Sequence, residues 1–372
     1  SRKTQAIDGH NFAEVSANIT ASTEPLIIKG LVKYWPLVQA GIKSDEAAIE
    51  YLKSHYNGNP AGVYFGEPSI KGRFAYDESV TKLNFEVKKT PLDEMLDIIQ
   101  QHKSDKAPPA IYIASNKIKY HFPTLPNDNN LPFNDDVFTD LSLDEADLLA
   151  SIWIGNKTLV SCHFDAQKNI ACCVAGQRRF TLFPPEQIAN LYPGPLEPTP
   201  GGQVISMVDF ANPNFERHPR FAQALEHAQV AELEPGDALF LPSMWWHQVE
   251  ALSPFNILIN YWWNTTAPYL GQATDALTHA LLSIKDCPPE EKKAWKAIFD
   301  YYIFNDHDIA TTHAFFNALH SDSIAVWHLP CGFQCTCLGL LTQALVKLFL
   351  DKLLGGSFTS CPGRLVLSKI KV

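Results

Sequence analysis

Hydrophobic and polar positions change their rhythm twice along the chain. Near the start, Leu26-Ile27-Ile28 is a short apolar run between Pro25 and Gly30, the pattern of a brief buried strand. Ser44 followed by Asp45-Glu46-Ala47-Ala48-Ile49 predicts a capped helix ending near Asn57-Gly58. Thr90-Pro91-Leu92-Asp93 predicts a second helix, with Thr90 as its cap and Pro91 in its first turn. Leu92, Met95, Leu96 and Ile99 then recur at helical spacing. Ser142-Leu143-Asp144-Glu145 has the form of a capping box opening a third helix.

From residue 151 to about 264 the rhythm shortens. Runs at 151–155, 159–165, 179–183, 238–241 and 257–263 are rich in β-branched and aromatic residues and are broken by Gly, Pro and Asn. That pattern predicts an all-β sandwich or barrel. The proline-rich stretch 192–202 reads as a surface loop, and no internal repeat is evident. Beyond Asn264 helical spacing returns over 271–284, 289–303 and 338–354. The expected layout is an α/β entry, a β core and a helical tail.

Composition narrows the function classes. The chain has 372 residues, 46% of them hydrophobic and 19% charged, which excludes global disorder and permits a large core. Lys and Arg number 30 against 40 Asp and Glu, a net charge of −10 that disfavours nucleic acid as a general partner. The apolar stretch 338–354 carries Lys347, Asp351 and Lys352, so it reads as amphipathic and no membrane span is expected. The start, Ser1-Arg2-Lys3-Thr4-Gln5, has no apolar run after it and does not resemble a secretory signal. Eight scattered cysteines fit free thiols in the cytoplasm. Cys331, Cys335 and Cys337 match no common zinc spacing and are read as packing residues.

The sharpest chemical feature is His163-Phe164-Asp165. On a strand, residues i and i+2 share a face, so an imidazole and a carboxylate would project together. These are two members of a two-histidine, one-carboxylate iron triad. The best third ligand is His247, which follows the Pro235-Gly236 turn, an apolar strand, Pro242 and the aromatic pair Trp245-Trp246. His10, His55, His102, His218 and His279 lack partners at metal spacing and read as structural or solvated.

These residues, with Asn169, Gly176, the run Arg178-Arg179-Phe180-Thr181-Leu182-Phe183-Pro184-Pro185, Ser206–Phe210 and Asn260-Tyr261-Trp262, resemble the JmjC and cupin-like 2-oxoglutarate oxygenases. The likeness is to the branch of the asparaginyl hydroxylase that inhibits hypoxia-inducible factor, and it covers about residues 25–264. It implies a mainly β fold with a double-stranded β-helix (jelly-roll, cupin) core over about 110–264. That core would lie within an oxygenase domain at 1–265, with an N-terminal α/β elaboration and a C-terminal helical region at 266–372 suited to homodimerisation.

The resemblance further implies Fe(II) held by His163, Asp165 and His247, with 2-oxoglutarate and dioxygen as cosubstrates. Arg178 falls where the family usually has a lysine for the distal carboxylate of 2-oxoglutarate, and Tyr112 matches a tyrosine that helps hold it. Asn169 and Asn260 match polar residues near the metal and cosubstrate. Trp245, Trp246 and Trp262 read as walls of the site or simple core. Three departures stand out: Val160 replaces a threonine, Ala171 an aromatic, and Ile205 a glutamine that grips the substrate amide. Trp262 and Ile205 are the expected substrate contacts. The expected substrate is a protein or peptide side chain. A small molecule or transfer RNA, a zinc or manganese cupin without redox chemistry, and a cupin-like binding protein without turnover are the alternatives.

Overall fold

A computed structural model of the chain describes residues 1–132, 148–264, 266 and 271–305. The capping box at Ser142, the stretch 338–354, and Cys331, Cys335, Cys337 and Cys361 lie outside the described residues. The chain divides into two compact units, Ser1–Leu270 and Gly271–Val372.

The entry of the first unit holds strands β1 (Arg2–Lys3), β2 (Gln5–Asp8), β3 (Leu26–Lys29), β4 (Ala61–Gly66), β5 (Arg73–Phe74), β6 (Glu86–Thr90) and β7 (Ala110–Lys117). Helices α1 (Phe12–Ala21), α2 (Pro36–Lys43), α3 (Asp45–His55), α4 (Leu92–Gln101) and α5 (Ile118–His121) are interleaved with them. Ser44 caps α3 by accepting from the Ala47 amide. The second helix starts one residue later than its sequence suggests: Pro91 is the cap position of α4, and Thr90 ends β6. Leu92, Met95, Leu96 and Ile99 of α4 are all buried, each contributing roughly 1.5–3 kcal/mol of burial.

Eight further strands form a jelly roll: β8 (Leu149–Gly155), β9 (Leu159–His163), β10 (Lys168–Ala175), β11 (Arg178–Phe183), β12 (Gln229–Leu233), β13 (Ala238–Leu241), β14 (Trp246–Ala251) and β15 (Asn256–Trp263), with α6 (Phe221–His227) before β12. One antiparallel sheet runs β13-β10-β15-β8, the other β12-β11-β14-β9. The chain passes repeatedly between the two sheets, which is the double-stranded β-helix expected from the sequence. The entry strands extend the sheets: β2-β3 beyond β13, β7-β4-β6 beyond β8, β5 beside β9 and β1 beside β12.

Alternation along the strands separates a helix-covered face from a jelly-roll interior. On β15, Ile257, Ile259, Tyr261 and Trp263 join the core shared with α1–α4, and on β10 Ile170, Cys172 and Val174 do the same. Their neighbours Ala171, Cys173 and Leu258 instead meet Phe180, Leu182 and Leu239 between the sheets. Asn169, Asn260 and Trp262 share that interior parity. The outer face of the smaller sheet is covered too, by Cys162, Phe183 and Trp246 against Leu191, Val208 and Phe221. Strands sealed on both faces read as continuous apolar runs.

The second unit is described over α7 (Ala273–Ile284), α8 (Pro289–Phe299) and a π-helical turn at Asp300–Phe304. None of these residues is buried. Among the described residues, no helix is long and apolar enough to cross a membrane.

Candidate metal centre

His163 is the last residue of β9, and β14 pairs beside it so that His247 stands directly across. The imidazole ring centroids are 4.3 Å apart. Asp165 lies two residues past the end of β9, not on the strand as its spacing suggests. The turn into β14 holds it there: the Met244 amide donates to the Asp165 carbonyl at 2.8 Å. Met244 takes a left-handed backbone angle, φ 67°, an uncommon conformation for a non-glycine residue. Phe164 turns the other way and packs edge-on against Trp246.

The three side chains converge. Ligand atoms of His163, Asp165 and His247 lie within 4.8 Å of one another, and His247 Nε2 is 3.6 Å from Asp165 Oδ2. His163 Nδ1 donates to the Ser161 carbonyl and His247 Nδ1 to the Trp245 carbonyl, both at 2.9 Å. A carbonyl only accepts, so each Nδ1 carries a proton, which leaves Nε2 as the atom each ring can offer a metal. Burial, then the neighbouring His163, pushes the pKa of His247 down to about 4, against the opposing pull of Asp165 and the Trp245 carbonyl. His247 is therefore neutral near pH 7. Two imidazole nitrogens and one carboxylate oxygen on one corner match the donor set of a facial triad for iron(II).

A second polar feature lies deeper. Arg178 opens β11 opposite Leu233 and Ala251, while His247 pairs with Leu182 of the same strand. The two backbone positions are thus four residues apart, roughly 13 Å along the sheet. Arg178 is 2% exposed, and its Nε and Nη2 have no hydrogen-bond partner among the described residues. Tyr112 stands beside the same guanidinium, and burial raises its hydroxyl to about 12 although Arg178 pulls it down. A buried cation with unpaired N–H groups is costly unless an anion completes it. Arg179, one residue on, faces out and pairs with Glu232 and Glu250.

The other site candidates take definite positions. Asn260 donates through Nδ2 to Asn169 Oδ1 at 3.2 Å, inside the jelly roll. Trp262 packs edge-on to Trp153, with ring centroids 5.6 Å apart. Ile205 bridges His163 in an isolated β-contact and is buried with Ala75 and Tyr76. Trp245 faces the interior core and donates to the Thr23 carbonyl, whereas Trp246 belongs to the outer layer. Trp246 is accordingly core and not a wall of the site. Trp153 escaped the sequence reading, although a lone aromatic between Ile152 and Ile154 is the signal that alternation would turn inward.

Comparison with known proteins agrees with this architecture. A family profile described as a cupin-like domain matches residues 12–268. The human HSPB1-associated protein 1 is 35% identical over 150 residues, covering 39% of this chain and 30% of that protein. The lysine-specific demethylase JMJ31 of Arabidopsis thaliana is 32% identical over 132 residues, covering 35% and 24%. The Jumonji C domain-containing protein 5 of Drosophila melanogaster is 24% identical over 259 residues, covering 69% and 59%. The matched stretch thus spans less than a third of the human relative. With a jelly roll built around the histidine–aspartate–histidine corner and a profile match across most of the first unit, the chain belongs to the cupin-like domain family, alongside JmjC proteins.

Proposed function

We propose that the chain is an iron(II)- and 2-oxoglutarate-dependent oxygenase that hydroxylates a C–H bond of a protein or peptide side chain. One observation carries the reading: a three-ligand metal corner and a buried, incompletely paired arginine share one jelly roll. The donor set suits iron(II), and the orphaned N–H groups of Arg178 suit a carboxylate. When bound, iron(II) supplies the redox chemistry by which dioxygen, 2-oxoglutarate and R–H become succinate, carbon dioxide and R–OH.

The protein's own residues provide placement. Arg178 and the Tyr112 hydroxyl hold the distal carboxylate of 2-oxoglutarate, the guanidinium offering two parallel N–H donors. His163 and His247 present Nε2 from rings locked by their backbone acceptors, and Asp165 contributes the anion. Trp153, Trp262 and Val160 are apolar surfaces that keep water from the reacting centre.

A human relative is named for association with HSPB1, which favours a protein partner. Buried Ile205 beside His163 has no hydrogen-bonding group for a side-chain amide, so substrate meets an apolar surface there. The net charge of −10 disfavours a polyanion. Free thiols at Cys162, Cys172 and Cys173 fit the cytoplasm as the working compartment.

Succinate formation from 2-oxoglutarate, measured with iron(II) and oxygen over a panel of peptides, is the direct test. Turnover above the level without iron is expected even when uncoupled from hydroxylation. Its absence across the panel would leave a cupin-like binding module without catalysis as the better account.

Homodimerisation through the second unit is part of the same proposal. Leu277, Trp295, Ile298 and Phe304 are exposed on described helices that hold no buried residue, and an exposed apolar face of this kind marks an interaction surface. Removing the residues after Thr266 should convert a dimer into monomer or aggregate in light scattering. An unchanged dimer mass would refute it.

A further inference from the structure

Trp153 sits on β8 opposite Leu258 of β15. Its neighbours Ile152 and Ile154 are fully buried toward the helices, so alternation turns the indole into the jelly roll. It keeps partial exposure although its strand is flanked on both sides. It packs against the interior clusters and still keeps partial exposure, so it borders interior space.

Two contacts tie this side chain to the Asn260–Asn169 amide pair and to the Tyr112–Arg178 end of the site. Its Nε1 donates to Asn260 Oδ1 at 2.6 Å. Its ring stacks on Tyr112, with centroids 6.0 Å apart and planes 29° apart. Gly155, paired with Tyr112 across the sheet, permits that stack. A Cβ at Gly155 would stand 3.0 Å from Tyr112 Cδ2 and 2.8 Å from the Ile111 carbonyl oxygen.

The first contact has a direction. An indole N–H only donates, so the Asn260 atom facing it must be the carbonyl oxygen. The Asn260 amide nitrogen then donates to Asn169 Oδ1, which turns the amino group of Asn169 away from Asn260. One donor at Trp153 thus orients two amides in sequence. The second contact makes the indole a spacer between this amide pair and the phenol that meets Arg178.

We propose that Trp153 is a positioning residue with two effects: it sets the orientation of the Asn260–Asn169 amide pair, and its ring sets the length of oxo diacid accepted between Arg178 and the metal corner. The inference rests on the oxygenase reading above and adds to it the determinant of cosubstrate length.

Calorimetric binding of 2-oxoglutarate and of 2-oxoadipate, one carbon longer, to the manganese(II)-loaded full chain tests it without turnover. Trp153→Phe keeps a ring but loses the donor. It should weaken 2-oxoglutarate binding by about tenfold, the scale of one oriented hydrogen bond, with the diacid preference retained. In an Asn260→Ala background the same substitution should add nothing, because its route runs through Asn260. Trp153→Leu should narrow the preference for 2-oxoglutarate over 2-oxoadipate by at least about tenfold, since ring volume is lost. A merely structural role would weaken both diacids equally and would add to Asn260→Ala. Full additivity, or wild-type affinity in Trp153→Phe, overturns the orienting effect; an unchanged diacid ratio in Trp153→Leu overturns the length effect. Should the wild type bind neither diacid, the oxygenase reading itself falls, and the inference with it.

Discussion

Alanine at His163, Asp165 or His247 is expected to empty the metal corner. Wild-type protein reconstituted with iron(II) should hold about one ion per chain, and each variant only a small fraction of that. Succinate formation should fall by at least about a hundredfold, because loss of an outer-shell partner alone costs roughly 10–100-fold and these atoms bind directly. The geometry leaves no substitute. The described residues contain no other cluster of three such side chains, and the ligand atoms already stand within 4.8 Å of each other. Asp165→Asn is the most informative variant, since it keeps shape and removes only charge. Elemental analysis beside thermal unfolding separates loss of metal from loss of fold. Retention of iron and turnover in His247→Ala would show that the corner is not the site.

Arg178→Met is expected to split cosubstrate binding from stability. Removing one partner of a buried charge pair costs about 2–5 kcal/mol, so the affinity for 2-oxoglutarate should drop from roughly thirtyfold to several thousandfold. The ligand-free protein should not lose stability in proportion. Arg178 is 2% exposed with two unpaired nitrogens, so the wild type already carries the cost of an uncompensated cation. Methionine relieves that cost, while the Tyr112 hydroxyl loses its neighbouring cation in return. Saturating 2-oxoglutarate should raise the melting temperature of the wild type and leave that of Arg178→Met unmoved. Arg178→Lys should fall between them, because an ammonium keeps the charge without the planar fork. An equal thermal shift in wild type and Arg178→Met would place the dicarboxylate elsewhere.

Much of this site was readable from short-range signals. The turn at Pro235-Gly236 has its positive φ, 101°, on glycine, with the Asp237 amide returning to the Glu234 carbonyl. The buried face of α4 followed from four apolar residues at helical spacing. The strand β10 was not readable in the same way. Its run Asn169-Ile170-Ala171-Cys172-Cys173-Val174 is buried on both faces, so it lacks the alternation that marks a half-exposed strand. The reverse failure occurred at Asp165, where spacing suggested a strand and the chain had already left it. A backbone hydrogen bond from the turn at Met244, distant in sequence, decides that carboxylate's position. Trp246 stays open between wall and core in the sequence for a related reason. Its neighbour Trp245 faces the interior and it faces the outer layer, and only strand pairing says which parity is which.

The amino-acid sequence by itself determined the kinds of donor available, the β character of the middle region and the family likeness, because each depends on residues near one another in the chain. Tertiary structure alone decided which donors meet. His163 and His247 face each other through the register of β14 against β9, and Arg178 points inward through the register of β11. A one-residue slip in either pairing would turn those side chains to the opposite face. What holds each register is burial of apolar residues on both sides of each sheet, a sum over contacts distant in sequence that no local pattern records.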